Sequence, residues 1–475
     1  MTTIDTSRRQ FLRQSTTLSV GSAMLSPWLL NLSAIADAAA AESTAGYKAL
    51  VCVFLAGGND ACNTILPASS DTASWARYEA VRPQIKLARN TGVSILNGAN
   101  SHALHPMLAK TASLYGAGRL AFVANVGNLL GTLLDRSRFE QPAASTIPAR
   151  LRSHNDQQTA WQSGQTNVAA YGWGGRFGAQ QSFGTNDPSD AFRSIRIGGS
   201  NDTFSVGESL LPYGMVARQN GVIGLLPLAQ APQDALYGKV PRSGLLKVVR
   251  GAFTTPRSNL IERDYSDVVA RALDNEQYLN GLLGAPGTSP VTVPDFELAR
   301  ALEVVGRVIK GHATKTGRQV FFVTLGGFDT HGSQLDTHAK RLEELDASLS
   351  FFDALLGAHG LRPHVTTFTM SDFGRLLNAN GDGSDHGWGG HQIVMGDAVA
   401  GGRIHGQIPA YAQANGSSAP QLTGDGALIP DISIGSYAAT LGRWFGIRDE
   451  ALLRSFFPYA CTAHGSAFDV GFMKA

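Results

Sequence analysis

"YKALVCVFLAGGND", residues 47–60, sets an unbroken run of apolar and β-branched side chains against a double glycine and an acid. A strand covered on both faces reads as such a continuous run rather than as an alternation, and glycines close it in a turn. The stretch is therefore one buried strand of a mostly parallel sheet, with Asp60 just beyond its carboxyl end. Three further runs have the same character: "RLAFVANVG" (119–127), "RQVFFVTLGGFDTHG" (318–332) and "RPHVTTFTMSDFG" (362–374). Between them, "FELARALEVVGRVIKGHATKTG" (296–317) and "LDTHAKRLEELDASLSFFDALLGAHG" (335–360) carry apolar residues at helical spacing. Strands alternating with helices predict an α/β fold whose sheet is covered on both faces.

In such sheets ligands collect outside the carboxyl ends of the strands. Three of the four runs end in an acid there: Asp60, Asp329 and Asp372. Asp329 and His331 stand two residues apart, so in extended chain both side chains point to one side. The Gly-rich loop "SDFGRLLNANGDGSDHGWGGHQ" (371–392) adds Asp385, His386 and His391, and seven of the twelve histidines fall between His331 and His405. Carboxylates and imidazoles on short turns are what hard or borderline divalent cations require. Each acid taken singly also reads as a helix N-cap or an Asx turn; the convergence of several points to a site. Asp382, in "NGDGS", needs only a turn.

The totals narrow the class. A chain of 475 residues with 43% hydrophobic content can bury a large core, and its 54 glycines exceed the usual share of about 7%. Formal charge is +2, with no basic stripe interleaved with aromatics, which argues against a nucleic-acid partner. Three cysteines, at 52, 62 and 461, imply no disulfide framework. The start, "SRRQFLRQS", places Arg8 and Arg9 before a broken apolar stretch and small residues, the pattern of a twin-arginine export signal over residues 1–41. The expectation is a periplasmic or otherwise exported protein, handled by the twin-arginine machinery, with no transmembrane segment in its mature chain. Residues 46–475 then form one domain, with a possible helical cap at about 205–295 where the alternation weakens.

The set "FLAGGND" (54–60), "GWGGR" (172–176), "VTLGGFDTHG" (323–332), "TMSDFGR" (369–375) and "DGSDHGWGGH" (382–391) resembles the exported proteins known as domain of unknown function 1501. That family is grouped by similarity with the alkaline phosphatase and sulfatase superfamily. The resemblance implies an alkaline phosphatase-like three-layer sandwich with a mostly parallel central sheet. It also implies one or two divalent ions, of zinc, magnesium, calcium or manganese, used on an anionic phosphate or sulfate ester. Asp60 matches the metal-binding acid after the first strand, Asp329 and His331 resemble the middle of the site, and Asp372 falls where the superfamily has an Asp-His pair. Here Phe373 follows instead, leaving His386 or His391 to take the vacant place. The superfamily's nucleophile stands at a helix N-terminus, which Ser153 in "RSHNDQQTAWQSG" fits loosely. Thr64 is its rival and Cys62 lies nearer Asp60. His154 reads as a ligand, an acid or an exposed helix residue, and Arg375 or Arg176 as an oxyanion contact. A hydrolase and a non-catalytic metal-binding or assembly protein of the cell envelope both fit this pattern.

Overall fold

A computed structural model of the chain describes residues 46–475, other than 99, 143–145, 166–168, 185–186, 199–201, 219–220, 224–250, 252–254, 256–257, 284–288, 316 and 475. The export signal read at 1–41 lies outside the described residues, as does part of the 205–295 region.

The strands are β1 (Lys48–Leu55), β2 (Ile65–Leu66), β3 (Val93–Asn97), β4 (Asn100–Leu104), β5 (Leu120–Gly127), β6 (Ser194–Ile197), β7 (Tyr213–Arg218), β8 (Gly221–Ile223), β9 (Arg318–Leu325), β10 (Val365–Ser371), β11 (Arg375–Ala379), β12 (Ser384–His386), β13 (Gly390–Met395), β14 (Ile404–His405) and β15 (Ile432–Ser433). The main sheet runs β14-β5-β13-β10-β1-β9-β6-β7-β8, with β15 also on β5. Pairing is parallel around β1, β9, β10, β6 and β7, while β13 lies antiparallel to both β10 and β5, and β8 antiparallel to β7. The sheet is thus mostly parallel.

β1 explains the three layers. Ala49, Val51, Val53 and Leu55 join a core with Leu302, Val305, Leu349 and Phe352, from helices Glu297–His312 and Gln334–Ala358. Leu50, Cys52 and Phe54, alternating with them, point the other way, onto Trp161, Tyr437 and Leu441 of helices His154–Ser163 and Ile434–Phe445. Both faces are covered, which is why the sequence run shows no polar alternation. Each fully buried aliphatic side chain contributes roughly 1.5–3 kcal/mol. Helix Leu260–Leu283, inside the region read as a cap, sends Leu279 and Leu283 into the first of these cores, and Arg307 donates to the Leu283 carbonyl.

Register places the site. Leu55 pairs with Leu325 on one side and with Ser371 on the other, so β1, β9 and β10 end level. The segments that follow them, with Asp60, Asp329, His331 and Asp372, therefore leave the sheet at one edge. Gly57 (φ +119°) lets them close up: a Cβ there would lie 2.3 Å from the Asp329 amide nitrogen. Gly383 does the same for the later loop, since its Cβ would meet the His331 backbone at 2.2 Å.

Candidate metal centre

Four side chains meet above that edge. Asp329 and His331 come from the loop after β9, His386 from β12, and His154 opens helix His154–Ser163. His154, Asp329 and His386 each offer a ligand atom, and these atoms lie within 4.8 Å of one another. His331 Nε2 stands 3.1 Å from Asp329 Oδ1 and 2.8 Å from His386 Nε2.

Each imidazole has its other nitrogen committed. His154 Nδ1 donates to Asp372 Oδ2 at 2.5 Å, His331 Nδ1 to Asp385 Oδ1 at 3.1 Å, and His386 Nδ1 to the Arg152 carbonyl at 2.8 Å. A neutral imidazole that donates through Nδ1 presents a lone pair at Nε2. Burial, above all, lowers the His386 pKa, and the nearby His154 adds to it, so the neutral ring is favoured. Two Nε2 lone pairs 2.8 Å apart repel unless a cation or a proton stands between them, and Asp329 supplies the matching negative charge. Burial alone would raise the Asp329 pKa, but the hydrogen bond and the positive charge of Arg375 hold it lowered. The donor set fits a divalent ion: imidazole nitrogens with one carboxylate suit zinc-class metals better than magnesium or calcium, which prefer all-oxygen shells. The carboxylates behind His154 and His331 match the pattern by which ligating histidines are oriented.

Phe373 explains the departure from an Asp-His pair. Its ring lies 4.5 Å from that of His386 and 4.9 Å from that of His154, centroid to centroid, tilted by 32° and 42°, so it packs against both imidazoles.

Residues 300–456 match the family model described as "Protein of unknown function (DUF1501)". The matched DUF1501 segment carries Asp329, His331, Asp372, Asp385 and His386, whereas His154 and Asp60 precede it. No curated protein is matched by the sequence. Solved structures similar to the chain include the PsFucS1 sulfatase from Pseudoalteromonas sp., at 12% identity over 93% of this chain and 77% of that one, with a TM-score of 0.37. The lipoteichoic acid synthase LtaP from Listeria monocytogenes aligns at 7% identity over 87% and 79%, TM-score 0.32. The alkaline phosphatase from the Antarctic bacterium TAB5 aligns at 8% over 73% and 91%, TM-score 0.28.

Several expected residues stand elsewhere. Asp60, read as a ligand, is fully buried: Arg82 reaches both of its oxygens, at 2.6 and 3.0 Å, Gln334 donates to Oδ2, and Oδ1 caps a helical turn at the Cys62 amide. Its four bonds leave it a structural ion pair. Asp372, also in the matched segment, is buried behind His154, accepting also from the Gly57 amide and Gln158 Nε2, and so orients His154 from behind instead of entering the cluster. His391 sits in a bulge of β13 against β5, where its Nδ1 accepts from the Asn125 amide, in left-handed conformation at φ 54°. Between the two histidines that competed for the place beside Phe373, His386 joins the cluster and His391 does not.

The anion and nucleophile candidates divide similarly. Arg375 is buried and donates to the carbonyls of Ser384 and Gly57 and to Asp329, leaving it a brace under the site rather than an oxyanion contact. Arg176 pairs with Glu208 at 3.6 Å and lies over the Phe456 ring. Thr64 is buried, donating to the Asp60 carbonyl, and Cys62 is buried with its thiol pushed up to about 11 by burial. Ser153 remains: half-buried, at the N-cap position next to His154, its Oγ donates to Asp156 Oδ2 at 2.5 Å. Arg82, Gln158 and the Arg152 carbonyl escaped the sequence reading. Gln158 alone carried a signal, since it lies one turn after His154 on the same helix face.

Proposed function

We propose that the chain is an exported, metal-dependent hydrolase of a phosphate or sulfate ester, with His154, Asp329, His331 and His386 holding a zinc-class ion. The observation that carries this is the convergence of three imidazole Nε2 atoms, each fixed by an acceptor behind it, on one partly exposed carboxylate. A bound divalent ion supplies Lewis acidity and lowers the pKa of water or an alcohol. The chain's own part is positional. Asp372 and Asp385 keep two imidazoles in the ligating tautomer, Arg375 locks Asp329 from below, and Phe373 packs against the His154 and His386 rings. Asp156 accepts the hydroxyl hydrogen of Ser153, and with Thr64 and Cys62 buried, Ser153, the N-cap residue beside His154, is the nucleophile of this reading. Arg8 and Arg9 give the export reading, and among the described residues no helix is long and apolar enough to cross a membrane.

One observation favours the second reading, a non-catalytic metal-binding or assembly protein of the cell envelope: two of the three candidate nucleophiles, Thr64 and Cys62, are sealed in the interior. Metal analysis of the exported chain, followed by assays on aryl phosphates, phosphodiesters and aryl sulfates, separates the two. The hydrolase reading expects about one equivalent of metal and turnover that disappears with it; under about 0.2 equivalents overturns the metal site and with it the hydrolase reading. Metal without turnover, and without a trapped covalent adduct on Ser153, selects the second.

A further inference from the structure

A polar cavity lies at the end of the sheet opposite the Asp329 cluster. It has a volume of about 810 Å³ and is floored by Lys48, the first residue of β1, and by Trp444 at the end of helix Ile434–Phe445. Four cations line it: Lys48, Arg443, Arg448 and Lys474. Among the described residues only two acids do, Asp397 and Asp469, and Asp469 is already paired with Arg443 at 3.7 Å. Lys474 Nζ donates to the Asp397 backbone carbonyl and Lys48 Nζ to the Trp444 carbonyl, so among the described residues neither ammonium has a carboxylate partner. Arg448 is exposed and makes no hydrogen bond or ion pair among the described residues. Uncompensated positive charge in a concave, partly apolar space concentrates anions. The same crowding shows on Lys48, whose pKa falls to about 8 through burial and through the charges of Arg318 and Arg448.

We infer that this cavity is a binding site for a small molecule bearing a tetrahedral oxyanion, phosphate or sulfate, held by Lys48 and Arg448 beside the Trp444 ring. The guanidinium of Arg448 offers the fork that matches two oxyanion oxygens, and the Lys48 ammonium sits over the Trp444 ring, 5.0 Å from its centroid, so an oxyanion that it holds lies beside the indole. The site is separate from the metal centre, which lies beyond the carboxyl ends of the same strands, and does not depend on it.

Lys48 itself gives the readout. The full chain is treated with a water-soluble amine-acylating ester, and modification of Lys48 and of the exposed Lys340 is followed by peptide mass spectrometry. Inorganic phosphate, inorganic sulfate and an aryl phosphate are the competitors, with chloride at matched ionic strength as the control. The expected result is saturable protection of Lys48, but not of Lys340, by the oxyanions below about 10 mM. Tighter protection by the aryl phosphate marks an ester, rather than the free ion, as the ligand. In Arg448→Ala the protecting concentration should rise about tenfold, the loss of one charge-assisted contact, whereas His386→Ala should leave it unchanged. Equal protection by chloride, no saturation, or an Arg448→Ala variant indistinguishable from the parent overturns the site.

Discussion

Asp372 Oδ2 lies 2.5 Å from His154 Nδ1, although 218 residues of chain separate the two, and that carboxylate is wholly shielded from solvent while the imidazole is 30% exposed. The acid thus acts through the histidine. Removing its charge in Asp372→Asn should weaken metal binding by about 10–100-fold, the usual cost of losing such a partner, without abolishing it. Chelator competition measures this. Parent-like affinity would remove Asp372 from the site, and a loss as complete as that of a ligand variant would make it a ligand after all.

Asp329 is the carboxylate on which His154, His331 and His386 converge, at 3.5, 3.1 and 3.2 Å. Asp329→Ala and His386→Ala should each bring the metal content of the purified chain close to zero while the fold survives. Phe373→Leu keeps an apolar side chain of similar kind but takes away the ring packed against both imidazoles. As a large-to-small change at a buried position it should cost roughly 1–3 kcal/mol of stability and lower metal affinity severalfold. Metal analysis and thermal unfolding on the same samples test both halves; unchanged affinity in Phe373→Leu would show that the imidazoles need no such support.

The fold was legible because its strands announce themselves. The run from Lys48 to Leu55 has seven of its eight residues buried, and hydrophobicity without alternation is the mark of that environment. The acids at strand ends were equally visible, and Asp329, His331 and His386 do meet. Sequence spacing says nothing, however, about which oxygen faces which partner. Asp60 and Asp372 look alike as acids after strands, yet Arg82 claims the first from the end of helix Thr72–Val81 and His154 the second from a helix 218 residues away in the chain. His154 was readable only as one of three things, because its place depends on how helix His154–Ser163 docks beside β10. The basic cavity drew no notice, since its cations come from positions 48, 443, 448 and 474 and form no run in the chain.

Gly57 is where the β1 turn presses on the metal loop. Any side chain there must accept φ +119°, a region L-residues rarely enter, and place its Cβ 2.3 Å from the Asp329 amide. Gly57→Ala should therefore move the Asp329 loop, costing roughly 1–3 kcal/mol and lowering metal occupancy together. Gly46→Ala, with open space around it, serves as the neutral control. A Gly57→Ala chain with full metal occupancy would mean that the loop tolerates displacement.

The Asp60–Arg82 pair carries the last prediction, which concerns stability and leaves the metal aside. Both side chains are fully buried, so deleting either partner strands the other; Asp60→Asn and Arg82→Met should each cost about 3–5 kcal/mol. Metal content in whatever folds should stay at the parent level, because neither group touches the cluster; a chain that loses its metal but not its stability would restore Asp60 as a ligand. The pH dependence has a definite sign. Burial would raise the Asp60 carboxyl, but the charge and hydrogen bonds of Arg82 outweigh it and hold the folded-state pKa below the ordinary carboxylate value. Between the folded and unfolded values the native state binds fewer protons, so the pair's contribution is complete above about pH 4 and is lost as pH falls through the folded pKa. The difference in unfolding temperature between the parent and Asp60→Asn should accordingly be largest near neutrality and shrink on acidification, as protonation does to the parent what the substitution has already done to the variant.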